Sequence, residues 1–169
     1  MKGIKVSLDT KVNANLCNWR VFPYYDVKKD CLSSNMQTWR VDNFIDTASI
    51  PKDTYVTISL ESSAITQIYL LGATDVIAHS KGKDYVRAGD NGQVRYPAAN
   101  NEQLRWVTYK ITDNTKSGFT IIMHNYGIVR NVKVELSDHP TDYIDYQGGV
   151  TRKALVIMLS SSCRKEVAA

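Results

Sequence analysis

The carboxylates of this sequence are of the residue type that could support acid–base catalysis. Glycoside hydrolysis needs two carboxyl groups across a cleft, and candidates include Glu61, Asp75, Glu102 and Glu135, although scattered acids occur in any soluble chain. Glu135 alternates with the apolar Val134 and Leu136, so we expect it to face outward from a strand as a solvated or paired acid. The sequence also has no nucleophile elbow, zinc-protease motif or phosphate loop. It therefore predicts a protein that is not an enzyme.

Thiol and metal chemistry have little support from residue spacing. The three cysteines, Cys17, Cys31 and Cys163, form no C-x-x-C motif, and no histidine lies near one of them. Their odd number favours free buried thiols, with a Cys17–Cys31 bridge as the alternative. His124 is expected on the outer face of a strand as a structural hydrogen-bonding residue. We expect neither a cofactor nor a metal ion.

Aromatic residues in a turn-rich segment suggest a different chemistry. Saccharide sites pair aromatic rings, which stack on the apolar faces of sugars, with polar neighbours. Loops on a rigid scaffold often carry such binding residues. The predicted saccharide-binding residues are Tyr85, Arg87, Asp90, Arg95 and Tyr96. For each aromatic residue taken singly, packing in a core or an interface is the commoner use.

Length, charge and hydropathy limit the class of protein. The 169 residues suffice for one domain with a sizeable core. The net charge of +4 is mild and the basic residues form no stripe, so nucleic-acid binding is not expected. No stretch has the roughly 18 apolar residues of a membrane span, and the N-terminus lacks the apolar core of a signal peptide. We therefore expect synthesis in a cytoplasm and no membrane insertion.

Alternating apolar residues predict strands along most of the chain. Three clear runs are 106–111, 119–123 and 128–136, and the short connections between them predict an antiparallel meander. Further strands are expected at 55–60, at 64–73 in a central position, and at 76–77, with 85–86 pairing back on the latter. The aromatic segment 18–26 contains Pro23, which indicates an edge strand or a loop. About eight strands and no long amphipathic helix predict an all-β antiparallel sandwich or barrel.

The C-terminal segment departs from this alternation. Residues 1–147 are expected to form the β-sandwich domain, and 148–169 a separate apolar segment that begins at Gly148-Gly149. Its apolar run is too short to span a membrane, and its side chains must be shielded from solvent by other protein residues. One alternative is a final strand of the same domain. The other is an assembly tail that docks on a neighbouring subunit through Leu155, Val156, Ile157, Met158 and Leu159.

One part of the sequence also carries a family resemblance. The run VRNVKVEL at 129–136, followed by Thr141-Asp142-Tyr143, resembles the closing strand of jelly-roll modules that recur in phage tail, baseplate and fibre proteins. In those modules a Lys-x-Glu strand precedes a Thr-Asp-aromatic segment. The strand at 55–59, the Trp-containing strand at 106–111 and the Lys-Ser-Gly-Phe sequence at 116–119 fit as well, so the resemblance covers about residues 39–146. Similar jelly rolls serve as carbohydrate-binding modules, and some hold a structural calcium.

The resemblance implies a function as well as a fold. It implies a jelly-roll-like sandwich and a non-enzymatic structural protein of the virion, a tail, baseplate or fibre component made in the host cytoplasm. Its roles would be adsorption to a host-surface saccharide or subunit assembly. Its partners would be other virion subunits, including copies of itself as a homo-oligomer. The alternative is a stand-alone carbohydrate-binding module, which should remain monomeric.

Overall fold

The structure, a computed structural model, describes residues 15–34, 37–41, 53–70, 72, 76–81, 85–87, 92–112 and 118–146. This part of the chain contains a short 3-10 helix, Trp19–Val21, and eleven strands. The strands are β1 (Tyr25–Asp26), β2 (Cys31–Ser34), β3 (Gln37–Val41), β4 (Tyr55–Ser62), β5 (Thr66–Leu70), β6 (Val76–His79), β7 (Tyr85–Arg87), β8 (Gln93–Tyr96), β9 (Gln103–Lys110), β10 (Phe119–Met123) and β11 (Gly127–Glu135).

The strands form two antiparallel sheets that pack face to face. The six-stranded sheet has the order β1-β2-β11-β4-β9-β6, and the five-stranded sheet has the order β3-β10-β5-β8-β7. The predicted all-β antiparallel sandwich is therefore confirmed. β5 lies at the centre of its sheet and β1 at an edge, as expected for the apolar segment at 64–73 and the proline-containing segment at 18–26.

The core lies between the two sheets and is built from alternate positions of each strand. In β4, the core residues are Val56, Ile58 and Leu60, and the other long strands follow the same alternation. Tyr109 of β9 reaches across the core, where its hydroxyl donates a hydrogen bond to the carbonyl oxygen of Ile68 in β5, at 3.0 Å. A buried hydroxyl needs such a partner, so this contact ties one sheet to the other.

The predicted meander is wrong, because the three strands β9, β10 and β11 alternate between the sheets. β9 and β11 both pair with β4, whereas β10 lies in the other sheet between β3 and β5. Packed sheets are only about 10 Å apart, a distance that the three residues of the β10–β11 connection can span. A short connection therefore does not by itself indicate a hairpin. Similarly, β7 pairs with β8 and not with the strand at 76–79.

A β-bulge changes the phase of β11. The sequence alternation predicts Ile128 and Val132 on one face, but Val129 is fully buried and Ile128 only partly. The register shifts between Arg130 and Lys133, and Asn131 has a positive φ of 53°. One extra residue therefore resets the alternation, and asparagine is among the few side chains that tolerate this backbone conformation.

Candidate functional site

The candidate site is the face of the five-stranded sheet that points away from the core. Except for Ile122, its residues are polar or aromatic, and they occupy positions that alternate with buried apolar ones such as Ile68, Val94 and Ile121. We call it the amide face and define it by Gln67, Tyr69, Gln93, Arg95, Ile122 and His124. Tyr69, Gln93, Arg95, Ile122 and His124 are partly exposed, whereas Gln67 is buried. A sheet face with amides, a tyrosine and an arginine offers the groups that saccharide sites use.

A chain of hydrogen bonds orders the side chains of the amide face. Nε2 of His124 lies 2.9 Å from Oε1 of Gln67, and Nε2 of Gln67 donates to Oε1 of Gln93. Because an amide oxygen only accepts, His124 carries a proton on Nε2. Burial, and then the positive charge of Arg95, lower the pKa of His124, so the ring is neutral at pH 7. His124 is thus a structural hydrogen-bonding residue, as predicted.

The predicted saccharide-binding residues are divided between the two sides of the five-stranded sheet. Arg95 belongs to the amide face, and Tyr85 and Arg87 of β7 lie opposite Arg95 and Gln93 in the strand register. Tyr96 lies on the core side with 1% of its surface exposed. It therefore cannot offer a ring face on the surface, which is where the prediction required it.

The environment of Tyr96 explains its position. Its hydroxyl donates to the carbonyl oxygen of Trp106 at 2.6 Å, and burial raises its pKa to about 12. The remaining predicted residue, Asp90, lies outside the described residues.

Gln67, Tyr69 and Gln93 were not among the predicted site residues. We predicted the strand at 64–73 from its many apolar residues. That prediction overlooked Gln67 and Tyr69, the residues on either side of Ile68. The alternation of Gln67 and Tyr69 with Thr66, Ile68 and Leu70 is the signal that could have identified them.

Three residues that carry the family resemblance, Lys133, Glu135 and Thr141, form one cluster in which both charged residues are buried. Nζ of Lys133 lies 3.1 Å from Oε2 of Glu135 and donates to Oγ1 of Thr141 and to the carbonyl oxygen of Asp142. The backbone N–H of Thr141 donates to Oε1 of Glu135 at 2.9 Å, and its hydroxyl donates to Oε2 at 2.7 Å. Every oxygen of Glu135 is thus occupied by neighbours within the chain.

The expectation that Glu135 faces outward as a solvated or paired acid was partly wrong. Glu135 lies on the face opposite Val134 and is paired, but 0% of its surface is exposed. The reason is that residues 136–146, which we call the strap, fold back over this face of the six-stranded sheet. The hydroxyl of Thr57 in β4 donates to the carbonyl oxygen of Ser137 at 2.8 Å. Of the other candidate acids, Glu102 pairs with Arg130 at 2.7 Å, and Asp75 lies outside the described residues.

The end of the strap is held by a polar network around Arg20. Its guanidinium contacts Asp30 at 2.9 Å and Asp145 at 2.8 Å. The hydroxyl of Tyr143 accepts from Nε1 of Trp19 at 3.0 Å and donates to Asp145 at 2.7 Å. Hydrogen bonds from Arg20 and then Tyr25 lower the pKa of Asp30 to about 2. Tyr143, the aromatic residue of the resemblance, therefore anchors the strap.

The cysteines take no part in either cluster. Cys17 and Cys31 are free and buried, which confirms the prediction of free thiols for these two. Burial raises the pKa of the Cys17 thiol to about 12, so it stays protonated and unreactive at pH 7. Cys163 and the predicted assembly residues 155–159 lie outside the described residues.

Among the described residues, no three His, Cys, Asp or Glu side chains lie close enough to hold a metal ion. None of the described helical segments has the length and apolar character to cross a membrane.

In comparisons with protein families, curated proteins and solved structures, the chain matched none of them.

Proposed function

We propose that this chain is a non-enzymatic structural protein of a phage virion, a component of the tail, baseplate or fibre. It uses a carbohydrate-binding-like jelly roll to hold a host-surface saccharide on the amide face. It acts in the virion as one of several copies or together with other subunits.

The cluster of Lys133, Glu135 and Thr141 carries this proposal. The resemblance rests on a Lys-x-Glu strand followed at short range by a Thr-Asp-aromatic segment. The Lys, Glu, Thr and aromatic residues of this motif all make contacts that hold the strap on the sheet. The two charged residues are two apart on a strand, so they leave it on the same side. Thr141 bonds to both of them, and Tyr143 secures the end of the strap. The residues of the motif therefore act together to hold the strap on the sheet, and this supports the proposal.

The amide face supports the saccharide part of the proposal. Glutamine amides can donate to and accept from sugar hydroxyls, and the ring of Tyr69 can stack on the apolar face of a sugar. The bonds from His124 to Gln67 and from Gln67 to Gln93 order these amides before any ligand arrives. A preordered site loses less side-chain entropy on binding.

Co-sedimentation of the full-length protein with bacterial envelope preparations tests the function. Competing saccharides are added, and light scattering gives the oligomer mass of the same sample. We expect saturable binding that one saccharide abolishes, and a mass of several chains. Saturable binding by a monomer would instead favour the stand-alone carbohydrate-binding module.

A pair of tyrosine variants locates the binding surface. Tyr69→Ala removes the stacking ring of the amide face and should weaken envelope binding about two- to tenfold, since stacked aromatic contacts are worth about 0.5–1.5 kcal/mol. Tyr55→Ala is the matched control, because Tyr55 is also a partly exposed strand tyrosine but lies in the six-stranded sheet. Equal loss in both variants would remove the amide face from the proposal.

A further inference from the structure

A cavity of about 450 Å³ lies beside the segment that connects β8 to β9. Its polar lining comes from Lys81, Asn100, Asn101, Gln103 and Arg105, and Tyr96 also lines it. Because Tyr96 is on the core side of β8, whereas Gln93 and Arg95 are on the other, this cavity is separate from the amide face. Its size is within the range of small-molecule sites.

The wall of the cavity is fixed by contacts with neighbouring strands. Arg105 donates from one guanidinium nitrogen to the carbonyl oxygen of Pro97 at 2.7 Å and from the other to the carbonyl oxygen of Ala64. The N–H of Ala99 donates to the carbonyl oxygen of Ser63 at 3.0 Å. The segment 97–99 is therefore pinned to β9 and to the β4–β5 connection, and the cavity exists before a ligand binds.

The position of Lys81 is also determined by the fold. The N–H of Ser80 donates to the carbonyl oxygen of Trp106 at 2.9 Å, and Oγ of Ser80 accepts from the N–H of Trp106 at 3.1 Å. These two bonds hold the backbone next to Lys81 against β9. The exposed Lys81 side chain therefore belongs to the cavity rim in the folded protein.

The charge of the lining is positive. Among the residues that the structure describes, the lining includes two cationic side chains, Lys81 and Arg105, and no carboxylate. Of the nearby acids, Glu102 pairs with Arg130. Glu61 lies opposite Leu104 in the register, so it is on the other face of the sheet from Arg105. Arg105 is only 3% exposed, and solvent screens its charge less than that of a surface group.

We infer that this cavity binds the acidic residue of a saccharide. Its carboxylate or phosphate pairs with the ammonium group of Lys81 in the positive field of Arg105. The sugar hydroxyls bond to the exposed amides of Asn100, Asn101 and Gln103. Arg105 uses its N–H groups to hold the cavity wall, so it acts on the ligand through its charge. The inference does not depend on the proposed function, since it concerns a different surface.

Titration of the full-length protein, followed by two-dimensional NMR, tests the inference with three probes. Glucuronate carries a carboxylate, glucose 6-phosphate carries a phosphate, and glucose carries neither. We expect at least one acidic probe to shift the side-chain amide signals of Asn100, Asn101 and Gln103, and to bind at least about tenfold more tightly than glucose, as a charge-assisted hydrogen bond implies. Which acidic probe binds identifies the oxyanion.

Two lysine variants complete the test. Lys81→Gln should weaken binding of the acidic probe about tenfold without lowering the thermal unfolding midpoint, because the side chain is exposed. Lys28→Gln removes the same charge at another exposed position and should leave binding unchanged. Equal affinity for glucose and both acids, or equal effects of the two variants, would overturn the inference.

Discussion

Lys133 and Glu135 form an ion pair that water does not reach, at positions where strand alternation alone would place solvent-facing residues. Taking two charges out of water is unfavourable unless hydrogen bonds replace the lost solvent. Thr141 supplies these bonds, since it contacts both charged groups, and the carbonyl oxygen of Asp142 adds another for Lys133. Such a cluster fixes where the strap lies on the sheet more than it adds to net stability.

Replacing one member of this pair should destabilise the protein strongly. Lys133→Met or Glu135→Leu alone leaves the other charge buried without its counter-charge, so each should lower the free energy of unfolding by about 3–5 kcal/mol. The double variant should lose less than the two single losses combined. Urea unfolding followed by tryptophan fluorescence measures all three.

The control for this experiment is a more exposed ion pair. Arg130 and Glu102 are each about one-third exposed, and such a pair contributes about 0–1 kcal/mol. Arg130→Met should therefore cost far less than Lys133→Met. Strictly additive losses in the double variant would contradict the idea that Lys133 and Glu135 act as one unit.

The Arg20 network should make stability depend on pH in the acid range. The folded-state pKa of Asp30 is depressed to about 2, so its contribution is present above the unfolded-state pKa of about 4 and is lost as the pH falls through the folded value. Arg20→Met should lower the unfolding midpoint at pH 7, and the difference from the unmodified protein should shrink between about pH 4 and pH 2. The effect should be modest and weaker in high salt, because Asp30 is half exposed. A difference that stays constant down to pH 2 would contradict this explanation.

β11 is paired on one side by two different elements. β2 pairs with it only from Gly127 to Val129. Beyond that point the N–H of Leu16 donates to the carbonyl oxygen of Val134 at 2.8 Å. The side-chain amide of Asn15 donates to the carbonyl oxygen of Val132 and accepts from the N–H of Val134. The same amide reaches the carbonyl oxygen of Ile144 in the strap, so one residue joins strand and strap.

Asn15→Ala is expected to lower the free energy of unfolding by about 2 kcal/mol or more. It leaves buried backbone groups of β11 without partners, and each such group costs about 1–3 kcal/mol. Asn18→Ala is the matched control, because Asn18 is exposed and makes no side-chain capping bond to the 3-10 helix. Thermal and urea unfolding of both variants give the comparison. Similar losses would mean that Asn15 acts through local propensity and not through its bonds to β11.

Sequence alternation predicted the strands and their core faces but not their connections or their outer faces. In the predicted strand at 55–60, the alternate residues Val56, Ile58 and Leu60 are buried, because each strand's period depends on its own residues. The bulge at Asn131 and the burial of Glu135 depend on contacts between distant segments. The strap has no periodic pattern of apolar residues from which it could be predicted. The register of the β7–β8 hairpin decides which predicted site residues share a face of the sheet. Tyr85 lies opposite Arg95, so Tyr96, the next residue along β8, belongs to the other face.

The two outer faces of the sandwich differ in how far they are covered. The strap covers part of the six-stranded sheet and closes it with bonds from Thr57, Lys133 and Glu135. On the five-stranded sheet, polar side chains of the amide face remain partly exposed, and the cavity opens beside the segment that follows β8. Ligand binding is therefore expected at two places, the amide face and the cavity, whose lining also includes Gln103 and Arg105 of the six-stranded sheet.

The predicted assembly tail can be tested on the whole molecule. Within the described residues the strap is already anchored at its end, because Tyr143 bonds to Trp19 and Asp145 to Arg20. A chain truncated after residue 149 should therefore fold with a nearly unchanged unfolding midpoint, and light scattering should show that it has lost self-association.

A full-length variant with Leu155→Ser, Ile157→Ser and Leu159→Ser should behave in the same way, since it removes the apolar surface and keeps the chain length. A truncated chain that fails to fold would mean that residues 154–159 complete the sandwich as a final strand, and assembly would then have to use the sheet edges.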